Sequence, residues 1–367
     1  MFSINYNLSQ KNCGIELLRF LFAILIVLGH AFSSFQTEGL PGWVVQQGAI
    51  GVEFFFILSG ILMAKSLTRF AEKPVNYEQI ATETIAFLKK KYFAIFPTHI
   101  TAFIILFFEV VIITNLGLMN SLITLVSALP EILLFQMSGI RLQSINPNDW
   151  YISAMLLAML IIYPLLRKYE TFYAKCIGPV ITLVILGYCC MTTQTITPSG
   201  TPMLGGIAMK GTLRAIAEIS LGISTYEVIK YINHIPFKPI GIFLLHCIEL
   251  FCYISTFFLA CTDTPGAWYF VFMFILAIGL SISFSKWSIF VNIKNSNVIL
   301  YFGDLSMTIF LCQRIVLYPL EMLRPFDGYW VNTGIFLFGT LILSVIMKTI
   351  IDLLVKNKDF WKHILVY

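Results

Sequence analysis

Two residues that can bind anions and move protons lie in the first apolar stretch of the chain, ELLRFLFAILIVLGHAF. Arg19 and His30 are eleven positions apart, which in a helix is three turns plus roughly 20°, so both side chains lie on one face, about 16 Å apart along the axis. An arginine fork binds phosphate through two parallel hydrogen bonds, and a histidine exchanges protons near neutral pH. Glu16, three positions before Arg19, can orient it. Each residue alone is equally typical of a topological anchor or a buried hydrogen-bonding histidine, but the pair on one face favours function.

Further ionisable residues occur inside apolar stretches, where a charge is unfavourable and usually functional. Lys210, Arg214 and Glu218 form an i, i+4, i+8 stripe, and because the two cations repel each other the stripe requires anionic neighbours. We interpret it as a structural salt-bridge network between helices, and we interpret a later histidine–glutamate pair on one helix face as structural too. The other charged residues are His246 with Glu249 (the later pair), Glu53 in the second apolar block and Glu109 in the third.

A run of three lysines, Lys89 to Lys91, precedes Pro97 at the predicted cytoplasmic start of the third membrane helix. A basic run in this place is typical of a topology signal or of a contact with anionic lipids. It is equally typical of a site that holds the phosphates of a cytosolic ligand as point charges. The lysines by themselves leave both interpretations open.

These residues must be positioned by membrane helices, because the composition excludes a soluble fold. Of the 367 residues, 58% are hydrophobic and 12% are charged, whereas soluble domains carry about 25% charge. The eight cysteines lack the spacing of a zinc site, which predicts that no metal is bound. The net charge of +5 indicates neither nucleic acid nor another charged partner. We therefore predict an all-α, polytopic helix bundle surrounded by membrane lipids.

About ten apolar blocks have the length that a membrane-crossing helix needs, roughly 20 residues. No linker rich in Pro, Gly or Ser and no large soluble stretch separates them, and the longest polar segment is a cytoplasmic loop over 66–97. We therefore predict one domain over 1–367 with short cytoplasmic tails, 1–14 and 355–367. The blocks fall near 15–35, 48–65, 98–116, 151–166, 177–193, 205–229, 239–261, 267–285, 298–318 and 331–354.

The stretch 121–137 is ambiguous, since it is short and contains Pro130-Glu131. If it does not cross the membrane and the N-terminus is cytoplasmic, most of the 24 Lys and Arg residues fall in cytoplasmic segments, as the positive-inside rule requires. Only Arg141 and Arg324 then fall in outer segments. We therefore predict that both termini are cytoplasmic and that 117–149 is an outer excursion, re-entrant or peripheral.

Six short motifs follow one another between residue 15 and about residue 320. They are the Arg19–His30 helix, GVEFFFILSGILMA with Ser59-Gly60, KKKYFAIFP, DWYISAMLLAMLIIYPLL led by Trp150, RAIAEISLGI with Arg214 and Gly222, and YFGDLSMTIFLCQ with Gly303 and Ser306. Six such motifs in this order resemble the bacterial integral-membrane acyltransferases called acyltransferase family 3. The match departs at three positions where many members carry Arg, Glu and His, namely Ala94, Met155 and Gln313. Arg19 and His30 are unaffected by these departures.

The resemblance implies a multi-pass enzyme of the bacterial cytoplasmic membrane. It would move an acyl group, often acetyl, from cytosolic acyl-CoA to a hydroxyl of an envelope glycan, exopolysaccharide or lipid-linked saccharide on the outer side. On this hypothesis the acyl-CoA head group rests on Arg19, Lys90 and Lys91, and its flexible arm carries the thioester to His30. There His30 acts as general base or carries the acyl group itself, and Glu53 is our candidate for orienting it. The implied donor substrate is acetyl-CoA or another acyl-CoA, without a metal.

A second class of function fits the same buried charges. A transporter or flippase for a glycan or lipid-linked intermediate also places ionisable residues at mid-membrane. Inverted repeats would favour that class, and no such repeat is detectable in the sequence. Binding of acyl-CoA would separate the two hypotheses.

Overall fold

The computed structural model of this chain describes residues 12–68, 77–140, 144–193, 199–262, 269–293 and 296–356. It is 83% helical, with almost no strands. Residues 1–11 and 357–367 of the two predicted tails, and Arg141, lie outside the described residues. The helices are α1 (Cys13–Phe35), α2 (Ile50–Leu67), α3 (Tyr77–Ile113), α4 (Leu118–Ser127), α5 (Leu129–Ile132), α6 (Trp150–Lys168), α7 (Glu170–Phe172), α8 (Gly178–Thr193), α9 (Lys210–His234), α10 (Pro239–Ala260), α11 (Tyr269–Ser283), α12 (Asn297–Leu323) and α13 (Tyr329–Lys356), with a two-residue hairpin of β1 (Pro202–Met203) and β2 (Ala208–Met209) before α9.

A helix lies at each predicted membrane block. Within the described residues, eight helices are long and apolar enough to cross a bilayer. The other two predicted spans are α9, whose 25 residues include the charged stripe, and α11, of which 15 residues are described. The prediction of an all-α, polytopic membrane bundle is therefore confirmed.

The ambiguous stretch 121–137 is broken into short pieces. Helix α4 has ten residues and α5 has four, with Pro130 in the first turn of α5. Ten helical residues span about 15 Å, roughly half of the hydrocarbon core. Neither helix can cross the membrane, in agreement with the sequence interpretation, and the sidedness of this excursion stays a prediction.

Helix α3 differs from the sequence expectation, which placed a polar loop over 66–97. The helix begins at Tyr77 and runs through Pro97 for 37 residues, about 55 Å, so its first turns extend beyond a membrane core of about 30 Å. An ion pair between Glu83 Oε2 and Arg167 Nε of α6, 2.8 Å apart, holds this extension. Pro97 lies inside this helix, which membrane helices tolerate because neighbouring groups satisfy the freed backbone.

Helix α1 packs against α12 and α13, while α2 packs against α9, which also contacts α6, α8 and α11. The contact between α2 and α9 is closest at Gly60 and Gly222, where a Cβ added to either residue would lie 3.0 Å from the Cα of the other. Small residues allow membrane helices to approach in this way. The contact fixes the depth of α2 against α9, and two turns earlier on both helices it brings Glu53 to Arg214.

Candidate active site

His30 of α1 has one nitrogen engaged and one free. Its Nδ1 lies 3.0 Å from Oε1 of Gln313 on α12. The orientation of that amide is fixed, because Gln313 Nε2 donates to the carbonyl of Phe310 at 3.0 Å, which leaves Oε1 as the acceptor facing the ring. Nδ1 therefore carries the proton, and Nε2 presents a lone pair. Among the described residues, Nε2 has no hydrogen-bonding partner, so this nitrogen is available as a base or nucleophile.

Arg19 is held by Glu16, as the spacing predicts. Its Nη1 donates to Glu16 Oε2 at 2.7 Å, and about a quarter of the arginine side chain remains exposed. The carboxylate has room because residue 303 of α12 is glycine: a Cβ there would lie 2.9 Å from Cα of Glu16. Gly303 belongs to the last sequence motif, and its structural reason is this close approach of α12 to the start of α1.

The predicted basic residues of α3 lie near Arg19. Lys91 is partly buried and feels the positive charges of Arg19 and Lys90, while Lys90 and Lys89 are exposed. The Lys91 ammonium also lies over the Phe87 ring, 5.8 Å from its centroid. The structure thus brings Arg19 and Lys91 together at one end of α1, with Lys90 beside them. These cations could hold phosphate groups, and they lie at the opposite end of the helix face from His30.

An apolar surface connects the two ends of this face. Ile26, between Arg19 and His30, belongs to the same buried cluster as Tyr151 and Phe310. The Tyr151 hydroxyl bonds to Ser59 and senses the charge of Arg19, and its ring meets that of Phe310 edge-on, with centroids 5.4 Å apart. Aromatic side chains therefore occupy the space between the cationic end and the histidine.

Glu53 is not brought to His30. Its Oε1 accepts from Arg214 Nη2 at 2.9 Å, and Arg214 Nε donates to Glu218 Oε1 at 3.2 Å, with all three side chains almost fully buried. The guanidinium also lies over the Trp150 ring, 5.5 Å from its centroid. The orienting position beside His30, which we expected Glu53 to fill, is filled by Gln313. Glu53, Arg214 and Glu218 instead form the structural network between α2 and α9 that the charged stripe predicted.

A family comparison decides the class of protein. The family model of the acyltransferase domain, acyltransferase family 3, matches residues 12–349, nearly the whole chain. The chain belongs to this family. No curated protein and no solved structure matches it. Family membership makes the protein a membrane acyltransferase and sets aside the transporter hypothesis.

The second predicted histidine of this acyltransferase has a structural partner. His246 does not pair with Glu249: its Nε2 lies 3.0 Å from the carbonyl of Trp287. Glu249 accepts from the hydroxyls of Ser283 and Ser288, at 2.5 and 2.7 Å. Both residues thus fasten α10 to the segment after α11, in line with their structural interpretation.

The sequence analysis missed a third histidine of the acyltransferase, His99 of α3. Its Nδ1 lies 2.9 Å from Asp149 Oδ2, and both side chains are fully buried. Its Nε2 lies 3.2 Å from the carbonyl of Ile132. The two residues are fifty positions apart, so no local spacing signals the pair, although His99 follows Pro97 and Asp149 opens the Trp150 motif. Within the described ranges, no three His, Cys, Asp or Glu residues are placed to share a metal ion.

A hydrogen-bond network connects this buried pair to α12. Asn146 Nδ2 donates to Asp149 Oδ1 at 3.0 Å and approaches the carbonyl of Leu311 at 3.3 Å. Glu131 of α5 accepts from the amides of Ile145 and Asn146, at 2.7 and 2.6 Å. Burial, together with the negative charge of Asp149, raises the pKa of Glu131 to about 7. The network therefore holds the excursion 117–149 against α12, two residues from Gln313.

Proposed function

We propose that this membrane acyltransferase moves an acyl group, acetyl in the first instance, from cytosolic acyl-CoA to a hydroxyl of an envelope or exported glycan outside the bacterial cytoplasmic membrane. The observation that carries the proposal is His30 with its free Nε2, on the face of α1 that carries Arg19 at its other end. Three helical turns, about 16 Å along the axis, separate the two ends, and the extended arm of acyl-CoA would span that distance.

The donor end uses charge and fork geometry. The phosphates of acyl-CoA would bind Arg19 with Lys90 and Lys91, because arginine binds phosphate through two parallel bonds and lysine as a point charge. The extended arm would then follow the apolar face past Ile26, with Tyr151 and Phe310 moving aside, and bring the thioester to His30.

The transfer step needs a base because an alcohol is a weak nucleophile. As the glycan oxygen attacks the thioester carbon, His30 Nε2 takes the hydroxyl proton. The new C–O bond forms, the C–S bond breaks, and the proton passes from the imidazolium to the departing CoA thiolate. If His30 instead carries the acyl group, Nε2 attacks the thioester carbon first, the C–S bond breaks and CoA leaves as the thiolate. The glycan hydroxyl then attacks the acyl-imidazolium, the N–C bond breaks, and the hydroxyl proton passes to the CoA thiolate.

The test compares two histidines in purified protein in detergent. Transfer of radiolabelled acetyl from acetyl-CoA to envelope glycan that has been deacylated with mild base should fall about 10²–10⁴-fold in His30→Ala, the usual effect of losing a general base. The matched control is His246→Ala, because His246 is also partly buried and bound through one nitrogen. Thermal unfolding and acetyl-CoA binding should stay near wild type in His30→Ala.

Two results would contradict the proposal. One is near-full transfer per folded molecule in His30→Ala, and the other is equal loss in both histidine variants. Incubation with acetyl-CoA alone, followed by mass spectrometry of the His30 peptide, separates the two chemical routes: an acetyl-sized increment on His30 indicates the acyl carrier.

A further inference from the structure

A polar cavity of about 320 Å³ lies beyond His30, between the end of α1, the end of α12 and the start of α13. Its volume is near the lower limit of small-molecule sites, roughly 300–1,000 Å³, so it has room for a small ligand unit. The polar and charged side chains in its wall include Ser34, Glu321, Arg324, Asp327 and Asn332. Hydroxyl, carboxylate, guanidinium and amide groups together are what a ligand with many hydroxyls requires.

The cavity is connected to the candidate base through one carboxylate. Ser34 is one turn beyond His30 on α1, about 6 Å along the axis, and its Oγ donates to Glu321 Oε1 at 2.5 Å. The other oxygen of Glu321 lies 2.7 Å from Nη1 of Arg314, the residue after Gln313. Glu321 therefore connects the cavity wall to Arg314, the neighbour in the chain of the glutamine that binds His30.

Arg324 occupies a backbone position that rarely carries a side chain of its kind. It ends α12 with φ of +43°, and its amide donates to the carbonyl of Leu320 at 3.2 Å. This left-handed position usually holds glycine or asparagine. Among the described residues its guanidinium has no ion-pair partner. An unfavourable conformation kept by an unpaired arginine at a cavity wall indicates that the side chain has a task there.

Asn332 supplies the second, independent observation. Its side chain is almost fully buried, with 7% of the residue exposed, and it lines the cavity. Nδ2 donates to the carbonyls of Phe326 and Gly328, at 3.0 and 2.9 Å, which uses both amide hydrogens. Oδ1 has no hydrogen-bond partner in the described part of the chain. An unsatisfied buried acceptor is unfavourable, and because Oδ1 is inaccessible in this conformation, a ligand hydroxyl would satisfy it after a local shift that opens Oδ1 to the cavity.

We propose that this cavity binds one sugar unit of the acceptor glycan and presents its hydroxyl to His30. Hydroxyl groups would donate to Asp327, to Glu321 and to Asn332 Oδ1, while Arg324 would donate to sugar oxygens. The inference rests on the proposed function for the identity of the acceptor, but binding to the cavity can be measured without any transfer.

The experiment measures binding and kinetics separately. The probe is envelope glycan from the expressing cells, deacylated with mild base, and binding is measured on the His30→Ala background, where no transfer occurs. Arg324→Asn keeps a residue that accepts the left-handed backbone but removes the guanidinium, and Asp327→Asn removes one charge. We expect the glycan Kd to rise at least tenfold in Arg324→Asn and about threefold in Asp327→Asn, with acetyl-CoA binding and thermal unfolding unchanged. The control is Asn120→Ala on α4, also exposed and outside the cavity.

In the active enzyme, the KM for glycan should rise by the same factors while the KM for acetyl-CoA stays constant. Glycan affinity within twofold of the parent in both variants, or no binding of the glycan to the parent, would overturn the cavity proposal. Loss of glycan binding in the variants, together with absence of acetyl transfer by the wild type, would support the cavity and refute the proposed donor instead.

Discussion

At the scale of single residues, the role of His30 depends on its neighbour Gln313. The amide oxygen of Gln313 fixes Nδ1 as the protonated nitrogen. Removing this acceptor should therefore let the imidazole ring of His30 shift or flip over. We expect Gln313→Leu to lower the transfer rate about 10²-fold, the effect of an ångström-scale misplacement, while Gln313→Glu, which keeps an acceptor there, retains more activity than the leucine variant. Rates are compared with those of Gln46→Leu, because Gln46 also donates to a backbone carbonyl. Equal rates in Gln313→Leu and the parent would remove Gln313 from the site.

Acetyl-CoA binding at the cationic end of α1 also depends on individual side chains. Arg19→Ala should weaken acetyl-CoA binding more than Arg19→Lys, because lysine keeps the charge and loses the fork. Replacing both Lys90 and Lys91 with alanine should also weaken binding, and the loss should shrink at high salt since exposed charges are screened. Equilibrium binding at two salt concentrations measures both effects. A double alanine variant of exposed Lys175 and Lys238 controls for net charge, and unchanged affinity in all the donor-end variants would leave these residues as topology anchors.

At the scale of elements, Gly303 decides how closely α12 approaches α1. A Cβ there would lie 2.9 Å from the backbone of Glu16, so Gly303→Ala must push the helices apart. Overpacking of this kind destabilises by about 1–3 kcal/mol. Gly334→Ala on α13 is the control, because that Cβ would meet nothing within 4 Å, and alanine favours the helix there by up to about 1 kcal/mol. Thermal unfolding in detergent should fall for Gly303→Ala and stay level or rise for Gly334→Ala; the reverse order would contradict the close approach.

The helices were predictable because each depends on local hydrophobicity, and the one-face arrangement of Arg19 and His30 follows from helical periodicity. Side-chain contacts between different helices were harder to predict from the sequence. The pair of His99 and Asp149 joins α3 to the start of α6, and no spacing along the chain encodes it. Gln313 was noted only as a departure from the family pattern, because its meaning depends on the packing of α12 against α1. Glu53 was predicted to orient His30, but it binds Arg214 of α9. Only the close contact of α2 with α9 at Gly222 brings these two residues together.

At the scale of the whole molecule, the proposed reaction requires that the two ends of α1 face different compartments. The structure gives the ends opposite character: cations near Arg19, and a mixed polar cavity near Ser34. Most Lys and Arg residues lie on the side of the first end if 121–137 does not cross, and the short helices α4 and α5 agree. The orientation therefore follows from the positive-inside rule, and it can be tested with a native side chain.

Cys176 is that side chain, because it is exposed and lies in the helical connection that leads from Glu170 into α8, near the predicted cytoplasmic start of this span. With the N-terminus inside and no crossing by α4 and α5, this connection is cytoplasmic, so a membrane-impermeant maleimide should label Cys176 only after permeabilisation of the cells. If the excursion crossed, every later loop would change sides and Cys176 would react in intact cells. Gly42→Cys, in a loop with open space around its Cβ, should react from outside and serves as the positive control, while Cys176→Ser identifies the label. Labelling of Cys176 in intact cells would reverse the cytoplasmic and outer assignments of all segments after α5, and would contradict the structure, in which α12 runs parallel to α1 with Gly303 beside Glu16 and Gln313 beside His30.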